Sequence, residues 1–509
     1  MGEEEQRETI AFLSRISARA GDATPPMSTH ISRIFFAGET VYKLKRAVRT
    51  AYLDFSTPQK RLEACERELE LNRRTAPSLY KRVRRISREA AGIALDGAGE
   101  TIDSIVEMQR FDQDCLFDAM AQRGALTAKH IELLAGTIAT FHRSAEVRMQ
   151  HGGAVALAKI LETNEAELRA SFLAQERDLT PVCDTMRAAL AARSALIDAR
   201  GAAGKVRRCH GDLTLRNIAL IDGEPTPFDC LEFDETLATI DVLYDLAFVL
   251  MDLWHRTRPD LANTLFNRYL DATDETDGLS LLPLFIAMRA IIRAHVTARM
   301  SNDAEGDARK RMMTEARAYL SLAAEAMRAG APVLIGVGGL SGSGKSTIAA
   351  ALAPLIAPLP GARVLSSDRI RKALHGAAPT QRLPPNAYTP DVSARVYAIA
   401  RDQARDCLDA DWPVICDAVF DRAADREVLE AVAKSRSAPF HGFWLDASSD
   451  MLATRVAARL GDPSDATVDV LRAQQAKLAA SAERIDWTRI DASSPAIETA
   501  QRMRNTLRG

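Results

Sequence analysis

Residues 339–346 read Gly339-Leu340-Ser341-Gly342-Ser343-Gly344-Lys345-Ser346 and fit G-x-x-x-x-G-K-[ST], the pattern of a phosphate-binding loop. Glycines let backbone N–H groups curl around phosphate oxygens, the lysine reaches the β- and γ-phosphates, and the last hydroxyl is a ligand for Mg²⁺. The apolar run 333–337 before the loop predicts a buried strand, and residues 347–352 after it predict a helix. This order favours a nucleotide-phosphate site formed by Gly339, Gly342, Ser343, Gly344, Lys345, Ser346 and Thr347.

The composition is that of a soluble globular protein and narrows the functional classes. The 509 residues predict about three domains, and 47% of them are hydrophobic and 26% charged. A net charge of −2 argues against a general binder of nucleic acids or membrane surfaces. Seven cysteines without a C-x-x-C pair indicate reduced thiols in the cytoplasm. The acidic residues 1–5 predict no signal peptide, and the apolar segment 279–296, interrupted by two arginines, predicts a buried helix.

Two segments with different predicted secondary structure precede the phosphate loop. Residues 1–110 predict a small, mainly antiparallel sheet with one prominent helix at 58–76, because strand patterns flank tight turns. Residues 111–328 carry helical periodicity, broken only at 205–235. A short linker then leads into residues 331–509, where strands alternate with helices. The predicted domains are therefore 1–110, 111–328 and 331–509.

A second chemical pattern lies at residues 209–218, where Cys209-His210-Gly211-Asp212-Leu213-Thr214-Leu215-Arg216-Asn217-Ile218 fits H-x-D-x-x-x-x-N. In the catalytic loop of kinases, which has this pattern, the aspartate accepts the proton of a substrate hydroxyl and the asparagine holds Mg²⁺. Asp229 follows at the end of an apolar run, where a second metal-binding aspartate is expected. The three positions agree with the pattern in residue type, order and spacing.

On these motifs, residues from about 25 to 325 resemble the aminoglycoside phosphotransferase (choline-kinase-like) family. The resemblance implies a bilobal, kinase-like domain that uses ATP. It also implies that Lys43 pairs with the ATP phosphates, that Glu68 holds Lys43, and that Met108 lies in the hinge that offers backbone groups to adenine. Lys45 remains an alternative to Lys43, and Glu63 or Glu66 to Glu68.

A third set of charged residues follows the phosphate loop. Asp368 and Arg371 form D-x-x-R after a predicted strand, a place where open α/β sheets bind ligands. The aspartate is a candidate base, and the arginine a candidate ligand of a phosphate or substrate anion. Asp417 ends another predicted strand, where it would orient Mg²⁺ through water or contact substrate. Arg455 and Arg459, one turn apart on a helix predicted at 451–460, are expected to close over the transferring phosphoryl group.

Residues 333–509 resemble the small P-loop kinases grouped with gluconate kinase, zeta toxin, chloramphenicol phosphotransferase and 5′-polynucleotide kinase. The resemblance implies a P-loop NTPase fold with a parallel sheet flanked by helices, and Asp368 as the base. The fold class expected for the whole chain is α/β and α+β, a bilobal kinase-like domain followed by a P-loop domain.

The motifs together predict a bifunctional kinase with ATP and Mg²⁺ at each of two sites. Asp212 and Asp368 would be the bases, and the metal ligands would be Asn217, Asp229, Ser346 and Asp417. We expect each acceptor to be a hydroxyl of a small molecule, with no membrane or nucleic-acid partner. Two alternatives remain open: one half is a nucleotide-binding regulatory module, or the C-terminal half is a 5′-hydroxyl nucleic-acid kinase.

Overall fold

The computed structural model describes residues 6–29, 31–49, 53–149, 152–171, 176–459, 463–481 and 484–507. The chain divides into two compact units, each made of two sequence segments. The first unit contains Met1–Ile160 and Ser194–Asp252, and the second contains Leu161–Arg193 and Leu253–Gly509. The acidic segment 1–5, from which we predict that there is no signal peptide, lies outside the described residues.

Helices make up most of the described chain. Their bounds are α1 (Arg7–Arg19), α2 (Pro58–Asn72), α3 (Phe117–Gln122), α4 (Ala128–Ser144), α5 (Gly153–Ala170), α6 (Glu176–Ala192), α7 (Ser194–Ala202), α8 (Glu235–Ala238), α9 (Val242–His255), α10 (Pro259–Ala272), α11 (Leu282–Met300), α12 (Gly306–Ala326), α13 (Lys345–Leu352), α14 (Ser367–Leu374), α15 (Pro390–Asp409), α16 (Ala423–Ser435), α17 (Ser449–Ala457), α18 (Val468–Ala480) and α19 (Ala496–Thr506).

The strands of the described residues form two larger sheets and two short pairs. Their bounds are β1 (Met27–Ser28), β2 (Ser32–Ala37), β3 (Thr40–Lys45), β4 (Tyr80–Glu89), β5 (Gly92–Leu95), β6 (Glu100–Gln109), β7 (Val206–Arg208), β8 (Ile218–Ile221), β9 (Glu224–Pro227), β10 (Thr239–Asp241), β11 (Leu334–Gly338), β12 (Arg363–Ser366), β13 (Val414–Asp417), β14 (Phe440–Asp446) and β15 (Thr488–Asp491).

The first unit begins with a six-stranded antiparallel sheet in the order β1-β2-β3-β6-β4-β5. Tyr42 and Leu44 of β3 pack into an apolar cluster with Leu13 of α1. Because side chains alternate along a strand, Lys43 and Lys45 lie on the opposite face, towards α2. The predicted antiparallel lobe is confirmed, and its two lysines share one face as the alternation predicts.

The segment 205–235 of the first unit forms short antiparallel pairs between helices. β7 pairs with β10, and β8 pairs with β9. The H-x-D-x-x-x-x-N stretch runs from the end of β7 into a short 3₁₀ helix, Leu215–Asn217, before β8. The β8–β9 pair then delivers the chain to Asp229, so the hairpin brings the two ends of the predicted site together.

The second unit contains a five-stranded sheet in the order β12-β13-β11-β14-β15, in which all neighbours are parallel. Its core packs the apolar strands against α13 and α19. The phosphate loop follows β11 at the carboxyl edge of the sheet, next to the ends of β12 and β13. The predicted fold class, with an antiparallel kinase-like lobe and a parallel P-loop sheet, is confirmed.

Helix α11 lies within Thr276–Asp303, the only stretch of the described residues that is long and apolar enough to cross a membrane by length and composition. Of its most apolar window, 72% is buried inside the protein. Arg289 and Arg293 on this helix are also buried, and α11 packs along α12. The prediction of a buried core helix is therefore confirmed.

Two predicted helices end earlier than expected. The helix predicted at 58–76 ends at Asn72, and the second case bears on the site. The helix expected at 451–460 ends at Ala457, so Arg459 lies beyond it, and residue 460 lies outside the described residues. Arg455 and Arg459 are consequently not one turn apart on a helix face. The predicted domain boundaries stay predictions; the compact second unit includes α10, α11 and α12 together with the parallel sheet.

Candidate active sites

Two aspartates of helix α9 hold the backbone of the loop that carries Asp212 by hydrogen bonds. Asp245 accepts hydrogen bonds from the backbone N–H groups of His210 and Gly211, at 3.1 and 2.9 Å. Asp252, two turns later on α9, accepts from the N–H of Leu215 at 2.9 Å. Because charge-assisted bonds to buried carboxylates are strong, these contacts fix the backbone of the loop.

Asp212 and Asn217 meet at the front of this loop. Asn217 Nδ2 donates to the carboxylate of Asp212 at 2.8 Å and to its backbone oxygen at 2.9 Å. Nδ2 of Asn217 is thereby fully used, which leaves the side-chain oxygen of Asn217 for a cation. The structure therefore brings together the predicted base and one predicted metal ligand.

Asp229 faces the same space from the end of the β8–β9 hairpin. It adopts φ of 58°, in the left-handed region that is uncommon for a residue with a side chain. Its N–H donates to the hydroxyl of Tyr80 at 3.2 Å, and its carboxylate lies 2.5 Å from Lys43 Nζ. The side chain keeps 42% of its surface exposed, so it remains open to a ligand.

Both candidate lysines contact Glu68, but they occupy different places. Lys43 Nζ lies 2.6 Å from one oxygen of Glu68 and also reaches Asp229. Lys45 Nζ lies 2.6 Å from the other oxygen of Glu68 and also pairs with Glu232, and its side chain is completely buried. Lys43 therefore lies at the open side of the cluster, beside the partly exposed Asp229, and Lys45 lies in its buried part.

The charges of Lys43 and Asp229 favour each other's ionised form. Burial alone would lower the pKa of Lys43, but the carboxylates of Asp229 and Glu68 raise it well above its ordinary value. Burial would likewise raise the pKa of Asp229, yet the charge of Lys43 lowers it below its ordinary value. For Glu232 burial prevails, so its pKa is raised despite the pairing with Lys45.

The remaining residues predicted for the first site lie apart from the cluster. Glu63 and Glu66 are exposed on α2, and Glu63 accepts a hydrogen bond from Gln59. Met108 is buried in β6, where Val41 and Tyr80 flank it in the neighbouring strands. The role of its backbone towards adenine stays a prediction.

The phosphate loop of the second unit has the backbone that its motif predicts. Gly339, Gly342 and Gly344 adopt φ of 144°, 86° and 86°. A Cβ on Gly342 would lie 2.5 Å from the backbone oxygen of Leu452, so a glycine is required there on packing grounds as well. Gln474 accepts from the N–H of Ser341 at 2.9 Å and anchors the loop from α18.

Side chains at the strand ends converge on this loop. Ser346 Oγ donates to Asp417 at 2.6 Å, and Lys345 Nζ donates to the backbone oxygen of Leu340 at 3.1 Å. The loop opens into a cleft of about 1240 Å³, whose walls include the predicted residues Gly342, Gly344, Lys345, Ser346, Thr347, Asp368, Arg371, Asp417, Arg455 and Arg459. Gly339 and Ser343, also predicted for this site, are not among the residues that line the cleft, and Ser343 is completely buried. Asp368 lies in the first turn of α14, two residues after Ser366, the last residue of β12.

The three predicted arginines line the cleft and differ in their hydrogen-bond partners. Arg371 is buried, donates to the backbone oxygen of Ala387 at 2.7 Å and lies over the ring of Tyr388, and its Nε has no partner. Arg455 donates to the backbone oxygen of Ala492 at 2.9 Å. Arg459 lines the cleft from beyond the end of α17, with a buried Nη1 that has no partner. The cleft thus keeps unused guanidinium donors near the phosphate loop.

Family models match both parts of the chain. Residues 37–279 match the phosphotransferase enzyme family, and residues 334–481 match an AAA domain model of the P-loop kinase type. The chain joins a phosphotransferase domain to a P-loop kinase domain. It is therefore a phosphotransferase enzyme.

A full-length relative and partial structural neighbours accompany these matches. An uncharacterized protein of Mycobacterium tuberculosis strain H37Rv is 29% identical over 479 residues, which cover 92% of each chain. A gluconokinase from Sinorhizobium meliloti is 21% identical and covers 35% of this chain and 98% of its own, with a TM-score of 0.25. A Plasmodium vivax ethanolamine kinase is 13% identical and covers 58% and 81%, with a TM-score of 0.36.

Two residues of the phosphotransferase domain were not predicted from the sequence. Glu232 is the second partner of Lys45, and Tyr80 holds the backbone of Asp229. The signal for Glu232 was available, because two lysines on one buried face require more than one carboxylate.

One residue of the P-loop kinase domain has more contacts than the sequence reveals. That residue is Asp465. Its carboxylate accepts from Lys372 Nζ at 2.6 Å, from the N–H of Leu383 at 2.9 Å and from the hydroxyl of Tyr388 at 2.5 Å. It therefore ties the segment before α18 to the loop that covers Arg371.

The buried carboxyl of Asp417 lowers the stability of the P-loop kinase domain when it is ionised. This carboxyl is 3% exposed, and burial raises its pKa above the ordinary value against the charge of Lys345 and the hydrogen bond from Ser346. A raised folded-state pKa means that the ionised group lowers stability once the pH rises through that value. We expect Asp417→Asn to raise Tm at pH 7, and the gain to shrink as the pH falls towards about 4.

Thermal unfolding between pH 4 and pH 8 measures this effect. Asp303→Asn, at an exposed carboxylate of the same unit, is the control and should change Tm little at any pH. A gain at Asp417→Asn that does not depend on pH, or no gain at all, would contradict the assignment of the cost to the ionised carboxyl.

Proposed function

We propose that each half of the chain transfers the γ-phosphate of ATP, with Mg²⁺, to a hydroxyl of a small molecule, which makes the enzyme bifunctional. The observation that supports this most directly is that each unit assembles the same three kinds of group from distant sequence. These are a cation for phosphate, a polar pair for a metal, and a carboxylate that can accept a proton. A cytoplasmic location is part of the proposal and is supported by the seven cysteines, which are all thiols outside disulfide bonds.

The residues of the first site fit a nucleotide with a divalent cation. The Asp229 carboxylate is partly exposed beside Lys43, and Asn217, whose amide nitrogen donates to Asp212, can offer its side-chain oxygen to a cation. Oxygen ligands of these types are those that Mg²⁺ prefers. Lys43 presents its ammonium group beside Asp229, where it would bind phosphate oxygens.

The residues of the second site fit the same ligand through different groups. The glycines give the loop the curled backbone that can surround phosphate with N–H groups, and Ser346 with Asp417 offers oxygens to a cation. When bound, ATP would supply the phosphoryl group, and Mg²⁺ together with Lys345 would neutralise the negative charge on it.

Asp212 and Asp368 are proposed to take the acceptor proton in their respective sites. Asp212 is oriented by Asn217, so a substrate hydroxyl that donates to its carboxylate is held in line for attack. Asp368 lines the cleft that also exposes Arg371 and the phosphate loop. Because transfer depends mainly on positioning and charge neutralisation, these few groups suffice for the chemistry.

A transfer screen tests the proposal on the full chain. Labelled γ-phosphate is followed into sugars, amino sugars, nucleosides and a short 5′-hydroxyl oligonucleotide. Labelling of a small molecule at both sites supports the proposal. Labelling of the oligonucleotide alone identifies a nucleic-acid kinase, and loss of all transfer with one inactive site identifies the other half as regulatory.

We expect Lys345→Ala to lower transfer at the second site about 100- to 1000-fold, the usual effect of removing one group that stabilises the developing charge. Activity that depends on Asp212 should remain. Lys434→Ala, at an exposed lysine of α16, is the matched control. If Lys345→Ala leaves every transfer rate unchanged, the second site is not catalytic.

A further inference from the structure

Helix α10 carries three polar residues on one face, at a spacing of four. They are Asn263, Asn267 and Asp271, and we call them the polar stripe. Residues four apart lie above one another on a helix, so the stripe runs along a single side of α10. Both asparagines are buried, at 3% and 2% exposure, which is unusual for amides unless they are fully bonded.

The stripe lies against β12, the outer strand of the parallel sheet. Asn267 Oδ1 accepts from the N–H of Val364 at 2.7 Å. Asn263 Nδ2 donates to the backbone oxygens of Pro360 and Ala362, at 3.0 and 3.1 Å. An outer strand otherwise leaves such groups without partners, so the two side-chain amides act in place of a sixth strand.

The end of the stripe reaches the helix that carries Asp368. Asp271 pairs with Arg363, the first residue of β12, at 2.7 Å. It also lies 4.0 Å from Arg369, the residue that directly follows Asp368 in α14. The stripe therefore contacts the segment on both sides of the proposed base.

Aromatic side chains and backbone also pack closely around the polar stripe. Phe266 of α10 lies 5.7 Å from Trp412, ring centre to ring centre. Gly361 adopts φ of 107°, and a Cβ there would lie 2.8 Å from Asn263 Nδ2 and 2.4 Å from the backbone oxygen of Ala353. The approach of α10 thus excludes a side chain at this position of the loop before β12.

We propose that the polar stripe positions Asp368 by holding β12 and the first turn of α14. No hydrogen bond within the described residues anchors the Asp368 carboxylate itself, so its place depends on the backbone that carries it. The stripe residues are positioning residues of the second site, although the sequence places α10 in the kinase-like helical lobe. The catalytic consequence rests on the proposed role of Asp368.

Hydrogen exchange of the full chain tests the anchor without any assay of activity. In Asn267→Ala the N–H of Val364 loses its acceptor, and we expect amide exchange in residues 362–371 to rise about 10-fold or more. Exchange in β11, β13 and β14 should stay unchanged. Asn302→Ala, at an exposed asparagine of the same unit, is the control and should leave the exchange of residues 362–371 unchanged.

Kinetics of the same variants test the consequence for Asp368. Asn267→Ala is expected to lower kcat of the Lys345-dependent transfer about 10-fold with little change in the KM for ATP, because the Asn267 side chain bonds to the backbone of β12 and not to the phosphate loop. Unchanged exchange in residues 362–371, or faster exchange throughout the unit, overturns the inference. Local loss of protection with unchanged kcat also overturns it. Absence of any Lys345-dependent transfer in the wild-type chain overturns the proposed function, while the exchange result still decides the anchor.

Discussion

Replacing Asp212 by alanine is expected to lower transfer at the first site about 10²- to 10⁴-fold, the usual contribution of a positioned general base. The carboxylate is oriented by Asn217 at 2.8 Å, and the loop that carries it is fixed by Asp245 and Asp252. Removing the carboxylate therefore removes a proton acceptor that is already in place. Initial rates with the acceptor found for this site measure the loss.

Two controls give this result its meaning. Transfer that depends on Lys345 should be unchanged in Asp212→Ala, because the second site has its own base. Asp212→Asn keeps a side chain of the same shape but cannot accept the proton, and it should lose as much activity as the alanine variant. Full activity in either variant would show that Asp212 is not the base.

Replacing Lys45 by methionine is expected to destabilise the first unit by about 3–5 kcal/mol, the usual cost of leaving a buried charge unpaired. The lysine is completely buried between Glu68 and Glu232. Glu68 would keep Lys43, whereas Glu232 would be left alone in a buried position. Because a lone buried carboxylate becomes protonated, the loss should be smaller at pH 5 than at pH 8. Urea unfolding at both pH values measures it.

Lys43→Met separates activity from stability. This lysine lies at the open side of the cluster, and its partner Asp229 is 42% exposed, so we expect a smaller loss of stability and a large loss of transfer. The double variant Lys45→Met with Glu232→Gln removes the lone charge and should recover part of the stability. If Lys43→Met and Lys45→Met have the same effects, the two lysines do not divide these roles.

Much of the fold follows from local patterns in the sequence. The alternation of Lys43 and Lys45 with Tyr42 and Leu44 predicts one charged face of a strand, and the structure confirms it. The apolar run before the phosphate loop and the segment after it predict a strand and a helix, and the structure has β11 and α13 there. These patterns succeed because each depends on residues that are close in sequence.

The parts that were missed depend on contacts between distant residues. Glu232 pairs with Lys45 across 187 positions, and Asn263 bonds to Ala362 across 99. A motif states which residue types are needed but not which buried partners support them. The prediction that Arg459 lies on a helix is wrong for a local reason, since periodicity alone does not show that the helix ends at Ala457.

The most direct test of two phosphoryl-transfer sites is the number of nucleotides bound by one chain. Calorimetric titration with Mg²⁺ and a non-hydrolysable ATP analogue requires no knowledge of the acceptors. We predict two equivalents for the wild-type chain, one for Lys43→Met, one for Lys345→Ala and none for the double variant. One equivalent for the wild-type chain, or loss of all binding in either single variant, would contradict the existence of two independent sites.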